Sequence, residues 1–370
     1  MKHVALIAVA KDEDSYIHEW IHHHLYLGFS PIYIGVNRTS DKTLEIINKI
    51  SINNKDVKAF VLDWIDQSGL GLNKRIQNIG YAYLSSKVDK YLVDYVGFLD
   101  IDEFWFNFQR KSIQEFIEDR GYFDIVSFNW LCQLGEDAEF SPPFKNVKYE
   151  IDGHVKSITH VKILEKVEFY TYHVPTFKAK FYNELIHIDQ VGNNISCLND
   201  NGKYNRQLPL INKENPSSCI LHRMLRSERE YLSLVLRGRP NGELIKSNGR
   251  LGIKKASNNL PLIFNEEYYL SLEQFIKTNK LTEILDLIRA KKLDSFQEKV
   301  ENMNGNQLIS ERHRALDALH NTGGLKIYVT TFTKKVTDVQ LLMDFAKQLE
   351  QINNKCSEIV IQKIHEINSV

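Results

Sequence analysis

The sequence predicts an α/β protein in which a mostly parallel sheet is flanked by helices. Short runs rich in Val and Ile, typical of buried strands, alternate over the first hundred or so residues with segments whose apolar residues recur at helical spacing. Strands that alternate with helices pair in parallel through right-handed crossovers. Beyond residue 260 the pattern is mostly that of amphipathic helices. We therefore expect a sheet domain over residues 1–255 and a mainly helical extension over residues 256–370.

The first elements of this pattern follow one another closely. The apolar run at residues 3–10 predicts a buried strand. A helix is predicted to begin at Ser15, because apolar residues recur nearly at i, i+3, i+4 and i+8, and Gly28 is a natural residue just past a helix end. Residues 32–36 predict the second strand, and residues 42–50 predict the second helix.

The same alternation continues toward the middle of the chain. Residues 57–62 predict a third strand, residues 72–88 a long helix and residues 96–101 a fourth strand. Further strands are predicted at residues 124–130 and 219–222, and one strand-like stretch at residues 325–331 interrupts the helical C-terminal part. The resulting order of elements is that of a doubly wound sheet.

Size and composition exclude several classes of protein. The 370 residues, 43% of them hydrophobic, can fill a core larger than that of a typical single domain. Lys plus Arg and Asp plus Glu both number 47, so the basic field that attracts nucleic acids is missing and no nucleic-acid partner is expected. The four cysteines lie far apart without Cys-x-x-Cys spacing, which argues against a zinc knuckle or a disulfide scaffold.

The N-terminal apolar run is too short for a membrane-spanning helix. It covers seven residues, meets Lys11 directly and lacks the cleavage pattern of a signal peptide. We expect a cytoplasmic protein. Its plentiful aromatic residues leave open a peripheral contact with the inner face of the cytoplasmic membrane.

An acidic motif ends the fourth predicted strand. Residues 95–99 are apolar, and Asp100-Ile101-Asp102 follows them. Side chains of an extended chain alternate between faces, so Asp100 and Asp102 are predicted to share one face. Two carboxylates suit Mg²⁺ or Mn²⁺, which complete their shell with water and substrate phosphates. The motif therefore predicts a divalent cation and a phosphorylated substrate.

Position distinguishes this motif from chance. At average Asp usage one Asp-x-Asp is expected in a chain of this length, and a second copy occurs at residues 12–14, where acids at a helix start are the ordinary interpretation. Ligands of open α/β sheets bind beyond the carboxyl ends of the strands, where residues 100–103 fall. Residues 11–13 and 37–41 follow the first two strands in the same way, although helix-start charge and an Asx turn explain them equally simply.

Two well-known nucleotide motifs do not occur. The sequence contains neither Gly-x-Gly-x-x-Gly nor Gly-x-x-x-x-Gly-Lys-Ser/Thr, which disfavours dinucleotide-dependent dehydrogenases and P-loop enzymes.

The order of the motifs resembles a known enzyme group. The motifs are Ala10-Lys11-Asp12-Glu13, Glu19-Trp20 with His24 and Gly28-Phe29, Asn37 with Ser40-Asp41, and Phe98-Leu99-Asp100-Ile101-Asp102-Glu103-Phe104. Later motifs are Lys156-Ser157-Ile158, His173-Val174-Pro175 and His222 with Arg226. In this order they resemble glycosyltransferases of the GT-A fold, a Rossmann-like α/β fold, and most of all the family-2-like and family-92-like group. The resemblance covers residues 1–245. The sequence departs from the group at Asp12, where Asn is usual, and at Asn37, where the turn lacks its acidic start.

The resemblance implies roles for individual residues. In this group the last Asp of the acidic motif meets the metal and the first contacts ribose or sugar, which implies these roles for Asp102 and Asp100. Asp100 is also a candidate metal ligand. His222 is the candidate for a third metal ligand or for a diphosphate contact, and His173 is the alternative histidine for that role. The candidates for nucleotide contacts are Lys11, Glu13, Asn37, Asp41, Lys74, Asp100 and Arg226.

Sugar transfer with inversion also needs a base. A carboxylate must take the proton of the acceptor hydroxyl while the metal neutralises the leaving diphosphate. Asp137, with Glu136 second, lies in an acid-rich loop and is the candidate. If the reaction retains configuration, this base is not needed.

The function expected from the sequence is a metal-dependent, inverting transfer of a hexose from a UDP-sugar to a hydroxyl of a glycan or glycolipid. The richness in Lys, Asn and Ile fits a bacterial gene for surface polysaccharide synthesis. The alternatives are a nucleotidyltransferase acting on sugar phosphates and a non-catalytic glycan-binding protein of the same fold. The apolar stripes of the C-terminal helices also leave open a homodimer.

Overall fold

In the computed structural model, the chain forms two compact units. The described residues are 2–67, 75–133, 135, 138–145, 149–196, 217–236, 243–246 and 264–369. The first unit comprises residues 1–133, 142–224 and 257–286, and the second comprises residues 134–141, 225–256 and 287–370. The domain boundary expected at residue 255 stays a prediction.

The first unit contains a large mixed sheet. The strands of the chain are β1 (Val4–Ala10), β2 (Ile32–Val36), β3 (Val57–Val61), β4 (Tyr95–Phe98), β5 (Glu103–Asn107), β6 (Ile125–Gln133), β7 (Tyr149–His160), β8 (Val167–Phe169), β9 (Thr176–Phe177), β10 (His187–Asp189) and β11 (Ser218–His222). Along the sheet the order is β3-β2-β1-β4-β7-β6-β11-β5, and β10 pairs with β6. Strands β8 and β9 form a separate pair.

Most neighbours in the large sheet are parallel, as predicted. Strands β3, β2, β1 and β4 run parallel, and β10 and β11 run parallel to β6. Strand β7 is antiparallel to both β4 and β6, and β5 is antiparallel to β11. These two reversed strands were not predicted. Because β7 pairs with β4, its Lys156 reaches the residues that follow β4. Because β5 pairs with β11, His222 at the end of β11 reaches them as well.

The helices are α1 (Ile17–Tyr26), α2 (Thr43–Asn53), α3 (Trp64–Gln67), α4 (Ile76–Ser85), α5 (Ile113–Arg120), α6 (Glu228–Val235), α7 (Glu266–Thr278), α8 (Thr282–Asn302), α9 (Gly305–Leu319), α10 (Gly323–Lys335), α11 (Val339–Glu350) and α12 (Asn354–Asn368). Helices α1, α2 and α4 confirm the three helices predicted between the first strands. The helical C-terminal part is confirmed as well.

Helix α4 packs closely on the sheet because it carries a glycine at the contact. A Cβ on Gly80 would lie 2.8 Å from a methyl carbon of Val9. Tyr81 and Leu84 of the same helix are fully buried in a cluster with Ile7 and Phe98. Close approach at Gly80 thus holds α4 against β1, and Tyr81 packs on Phe98 at the end of β4, just before the acidic motif.

One element was predicted wrongly. Residues 325–331 look like a strand, yet they lie in helix α10. The fully buried residues are Leu325, Tyr328, Val329 and Phe332. Their spacing of i, i+3, i+4 and i+7 is helical, so burial of one helix face outweighs the strand propensity of the β-branched residues.

Within the described part of the chain, no helix is both long enough and apolar enough to cross a membrane.

Candidate active site at the acidic turn

Asp100, Ile101, Asp102 and Glu103 form a tight turn, here called the acidic turn. Strand β4 ends at Phe98, and the backbone N–H of Glu103 donates to the carbonyl oxygen of Asp100 at 3.0 Å. The Oε2 atom of Glu103 in turn accepts from the backbone N–H of Asp100 at 2.8 Å. The period-two argument does not apply to a turn. The expectation that a strand places Asp100 and Asp102 on one face was therefore wrong, and the two side chains have different partners.

Asp100 is held by three side chains. Its Oδ2 lies 3.0 Å from the Nζ of Lys156 on β7. Its Oδ1 accepts from the hydroxyl of Tyr81 at 3.0 Å and from the side-chain amide of Gln77. The Asp100 side chain is still 33% exposed, so it is fixed in place without being closed off.

Lys156 also binds the carboxylate of Glu103, at 2.9 Å, and both of these side chains are almost fully buried. Burial lowers the pKa of Lys156, but the carboxylates of Asp100 and Glu103 outweigh burial and hold that pKa above its usual range. Burial raises the pKa of Glu103 to about 7, against the pull of the Lys156 ammonium. Lys156 is therefore a fixed positive charge between two carboxylates of the acidic turn.

Asp102 pairs with a different residue. Its Oδ2 lies 3.4 Å from the Nε2 of His222 at the end of β11, and the Asp102 side chain is 42% exposed. Burial lowers the pKa of His222, but Asp102 outweighs burial and raises this pKa to about 10. The structure thus brings together two of the predicted metal ligands, Asp102 and His222.

The donor set of this pair suits a hard cation. Carboxylate oxygen and imidazole nitrogen are both accepted by Mn²⁺, and Mg²⁺ or Mn²⁺ commonly takes only one or two protein ligands. Among the described residues no group of three His, Cys, Asp or Glu side chains is placed to hold a metal ion. Asp102 and His222 therefore fit a cation that water and phosphate oxygens complete.

A buried ion pair between Glu19 and Arg223 lies next to the acidic turn. The Nη1 of Arg223 lies 3.1 Å from the Oε2 of Glu19 on α1, and both side chains are buried. The backbone N–H of Arg223 donates to the carbonyl oxygen of Asp102 at 2.7 Å. The indole N–H of Trp20 donates to the carbonyl oxygen of Glu103 at 2.9 Å. Helix α1 thereby fixes the second half of the acidic turn, at Asp102 and Glu103.

The ring of Trp130 contacts three histidine rings, one of them that of His222. We call Trp130, His154, His173 and His222 the aromatic wall. The Trp130 ring centroid lies 4.3 Å from that of His222, 5.3 Å from that of His173 and 5.4 Å from that of His154. Burial lowers the pKa of His173 to about 4, so this imidazole is neutral. Sequence reasoning did not find Trp130 or His154, because only the pairing of β6 with β7 brings them together.

Asp41 closes the loop that follows β2. Its Oδ1 accepts from the backbone N–H of Thr43 at 2.9 Å, and its Oδ2 accepts from the backbone N–H of Asp14 at 3.1 Å. Asp12, whose φ is +54°, accepts in the same way from the backbone N–H of Ser40 at 2.8 Å. The structure therefore shows the loop-closing role that the sequence offered as one interpretation of Asp41. A nucleotide contact of Asp41 stays a prediction.

The other predicted nucleotide contacts lie in several places. Lys11 and Glu13 are half-buried in the loop after β1, which ends at the same sheet edge as β4. Asn37 is buried after β2, and its amide donates to the carbonyl oxygen of Leu62 at 3.2 Å and to Asp66 at 2.9 Å. Arg226 is buried and belongs to the second unit. Lys74, Glu136 and Asp137 lie outside the described residues.

Comparison with known proteins gives short matches in sequence. No family model matches the chain. A stretch of 95 residues is 25% identical to a glycosyltransferase family 92 protein of Ricinus communis, and 91 residues are 30% identical to one of Arabidopsis thaliana. These stretches cover 26% and 25% of this chain, but only 15% and 14% of the relatives' own lengths.

Comparison with solved structures gives low overall similarity. HddC from Yersinia pseudotuberculosis matches with a TM-score of 0.29 and 11% identity, over 51% of this chain and 91% of HddC. The galactosyltransferase LgtC matches with a TM-score of 0.24 and 14% identity, over 43% of this chain and 58% of LgtC. Scores this low say nothing about activity. The sequence matches, by contrast, support the resemblance to glycosyltransferases that the ordered motifs indicated.

Proposed function

We propose that this protein is a metal-dependent glycosyltransferase that moves a hexose from a UDP-sugar to a hydroxyl group of a glycan or glycolipid. The observation that carries the proposal is the exposed carboxylate of Asp102, 3.4 Å from His222, beside the fixed carboxylate of Asp100. Carboxylates at the carboxyl edge of a largely parallel sheet suit the binding of a cation and a diphosphate. The short matches to family 92 glycosyltransferases favour a sugar nucleotide as the diphosphate.

In this proposal Asp102 and His222 would hold Mn²⁺ or Mg²⁺, and Asp100 would orient the ribose or the sugar of the donor. The cation would supply positive charge against the leaving diphosphate. His222 would have to be neutral to serve as a ligand. Lys156 keeps the carboxylate of Asp100 in place.

The remaining donor contacts come from the loops at the same sheet edge. Lys11, Glu13, Asn37 and Asp41 are the proposed contacts after β1 and β2. Lys74 and Arg226 are further proposed contacts. For an inverting reaction, the base proposed from the sequence is Asp137, with Glu136 second.

The proposal extends to the setting of the reaction. The acceptor belongs to a bacterial surface polysaccharide or its lipid-linked precursor, made at the inner face of the cytoplasmic membrane. The helices after residue 287 offer a surface for a homodimer. The first statement rests on composition and on the resemblance, and the homodimer rests on the apolar stripes of these helices. Both are therefore independent of the proposed chemistry.

The experiment that tests the proposal measures UDP binding and sugar transfer with and without Mn²⁺. We expect wild-type protein to bind UDP more tightly with Mn²⁺, and Asp102→Asn to lose this Mn²⁺-dependent gain by about tenfold or more, because one charged ligand is gone. Isothermal titration with UDP and Mn²⁺ and transfer from a panel of radiolabelled UDP-hexoses provide the two readouts. Asp317→Asn, which removes an exposed carboxylate on α9, is the matched control and should behave as wild type.

Two results would contradict the proposal. If wild-type protein binds no nucleotide sugar, with or without Mn²⁺, the proposed donor is wrong. Unchanged transfer by Asp102→Asn removes the metal role assigned to this carboxylate.

A further inference from the structure

A second pair of titratable side chains lies on β7, apart from the proposed metal ligands. The Nδ1 of His154 is 2.6 Å from the Oδ1 of Asp152, and the two side chains are 38% and 29% exposed. The backbone N–H of His154 also donates to the same carboxylate oxygen at 2.8 Å. Two hydrogen bonds from one residue thus fix the carboxylate and the imidazole relative to each other.

The strand is irregular at this pair. Asn129 of β6 lies opposite Val155, whereas its neighbour Trp130 lies opposite Asp152, so Gly153 and His154 are extra residues on β7. Bulges of this kind change the direction of a side chain and are common next to active sites. The irregularity places the His154 ring against Trp130, at 5.4 Å between centroids and 29° between planes.

The hydrogen bond to Asp152 sets the chemistry of the imidazole. When Nδ1 carries the proton that Asp152 accepts, the lone pair of a neutral imidazole is on Nε2. A carboxylate that orients a histidine in this tautomer is the arrangement by which proteins present a general base, and it also stabilises the imidazolium that forms. Asp152 and His154 therefore have the geometry of a proton-accepting dyad.

The dyad stands beside the proposed donor site. The His154 ring lies 5.5 Å from that of His173, and Trp130, which contacts both rings, also contacts His222 at 4.3 Å. Two residues after His154, the same strand carries Lys156, which binds Asp100 at 3.0 Å. The aromatic faces of this wall suit the apolar face of a sugar ring, and the imidazole nitrogens suit its hydroxyl groups.

We propose that His154, oriented by Asp152, accepts the proton of the acceptor hydroxyl during sugar transfer. The inference rests on the proposed glycosyltransferase function. As the acceptor oxygen bonds to the anomeric carbon of the donor, the bond from that carbon to the diphosphate oxygen breaks, and the bonding electrons leave with the diphosphate. The hydroxyl proton passes to Nε2 of His154. This assignment competes with Asp137 and Glu136 for the same step.

The test compares His154→Ala, Asp152→Asn and Asp137→Asn with wild type, using Mn²⁺, UDP-glucose or UDP-galactose, and methyl glucoside or methyl galactoside as acceptors. General bases contribute about 10² to 10⁴ in rate, so we expect His154→Ala to lose about 100-fold or more in kcat. UDP binding should stay within about twofold of wild type, since the dyad is not a donor ligand. Added imidazole should restore at least about tenfold of the lost rate, a response that a structural role of His154 does not produce. Asp152→Asn should lose less, because the imidazole remains.

His3→Ala removes an exposed histidine before β1 and serves as the matched control. If His154→Ala transfers sugar at the wild-type rate, or if imidazole restores nothing while UDP still binds, the inference is wrong and glycosyl transfer itself stands. Loss confined to Asp137→Asn assigns the base to that carboxylate and also overturns the inference. If His154→Ala no longer binds UDP, His154→Gln decides, and full transfer by that variant overturns the inference. Wild-type protein that binds no nucleotide sugar overturns the proposed function and the dyad's role together.

Discussion

Lys156 determines the charge balance of the acidic turn. Its ammonium group is buried between Asp100 and Glu103, at 3.0 and 2.9 Å. A buried carboxylate without a cation is costly, and Glu103 is fully buried. Lys156 therefore balances the buried charge of Glu103 and also pairs with Asp100, whose carboxylate stays partly exposed.

Replacing Lys156 by Met should destabilise the first unit. Removing one partner of a buried ion pair costs about 3–5 kcal/mol, because the other charge is left buried and unpaired. Urea unfolding followed by tryptophan fluorescence at pH 7 measures the change in unfolding free energy. Lys55→Met removes an exposed lysine and should change it by less than about 0.5 kcal/mol. Equal stability of the two variants would show that Lys156 does not balance the turn.

The sequence shows which functional residues lie close together in the chain, but it does not show which distant residues contact them. Asp100 and Asp102 could be found because an apolar run leads directly into them. Lys156 lies 53 residues beyond Glu103 in the chain, and its role depends on β7 entering the sheet beside β4 in the reverse direction. Because sequence patterns do not encode that pairing, they could not assign Lys156 to the acidic turn.

Helix α1 contacts both the acidic turn and β5. His24 is fully buried, and its Nδ1 lies 2.9 Å from the carbonyl oxygen of Trp20. His23 lies 2.7 Å from the carbonyl oxygen of Trp105 on β5. Together with the pair between Glu19 and Arg223, these contacts make α1 a structural support rather than a ligand-binding element.

The pair between Glu19 and Arg223 predicts a non-additive result. Glu19→Met and Arg223→Met should each lower the unfolding free energy by about 3–5 kcal/mol, since each removes one partner of a buried ion pair. The double variant should lose clearly less than the sum of the two, because the pair can be lost only once. Urea unfolding of all four proteins completes the cycle. Additive losses would mean that the two side chains do not interact in solution.

At the scale of elements, strand and helix alternation was predictable and strand direction was not. The first three strands are found where the sequence placed them, because buried parallel strands read as continuous apolar runs, and the fourth is found but ends at Phe98, before the acidic turn. The helix at residues 323–335 was missed because its Val and Thr residues favour strands, while the fully buried residues recur at helical spacing. Tertiary burial decides such conflicts.

The first unit as a whole contains several histidines that burial keeps neutral. Burial lowers the pKa of His22 and His173 to about 4, that of His24 and His187 to about 3, and that of His23 well below its usual range. Below pH 6.5 the unfolded chain binds protons that these native histidines do not bind, so stability falls as pH falls. Glu103, with a pKa raised to about 7, opposes this by taking up a proton in the native state. Burial also lowers the pKa of His160, whereas His222, whose pKa Asp102 raises to about 10, acts in the same direction as Glu103. Six histidines with a lowered pKa against two groups with a raised pKa make acid the destabilising direction.

Lowering the pH from 7 to 5 should therefore reduce the unfolding free energy of the first unit by several kcal/mol. Each neutral histidine contributes about 1.4 kcal/mol per pH unit well below pH 6.5, so His187→Asn, which cannot titrate, should make the pH dependence shallower by about that amount. Urea unfolding at several pH values, followed by tryptophan fluorescence, reports on this unit alone, because the four tryptophans are Trp20, Trp64, Trp105 and Trp130. His3→Ala, at an exposed position, should leave the slope unchanged. If His187→Asn and wild type show the same slope, His187 is not kept neutral by burial in the native state.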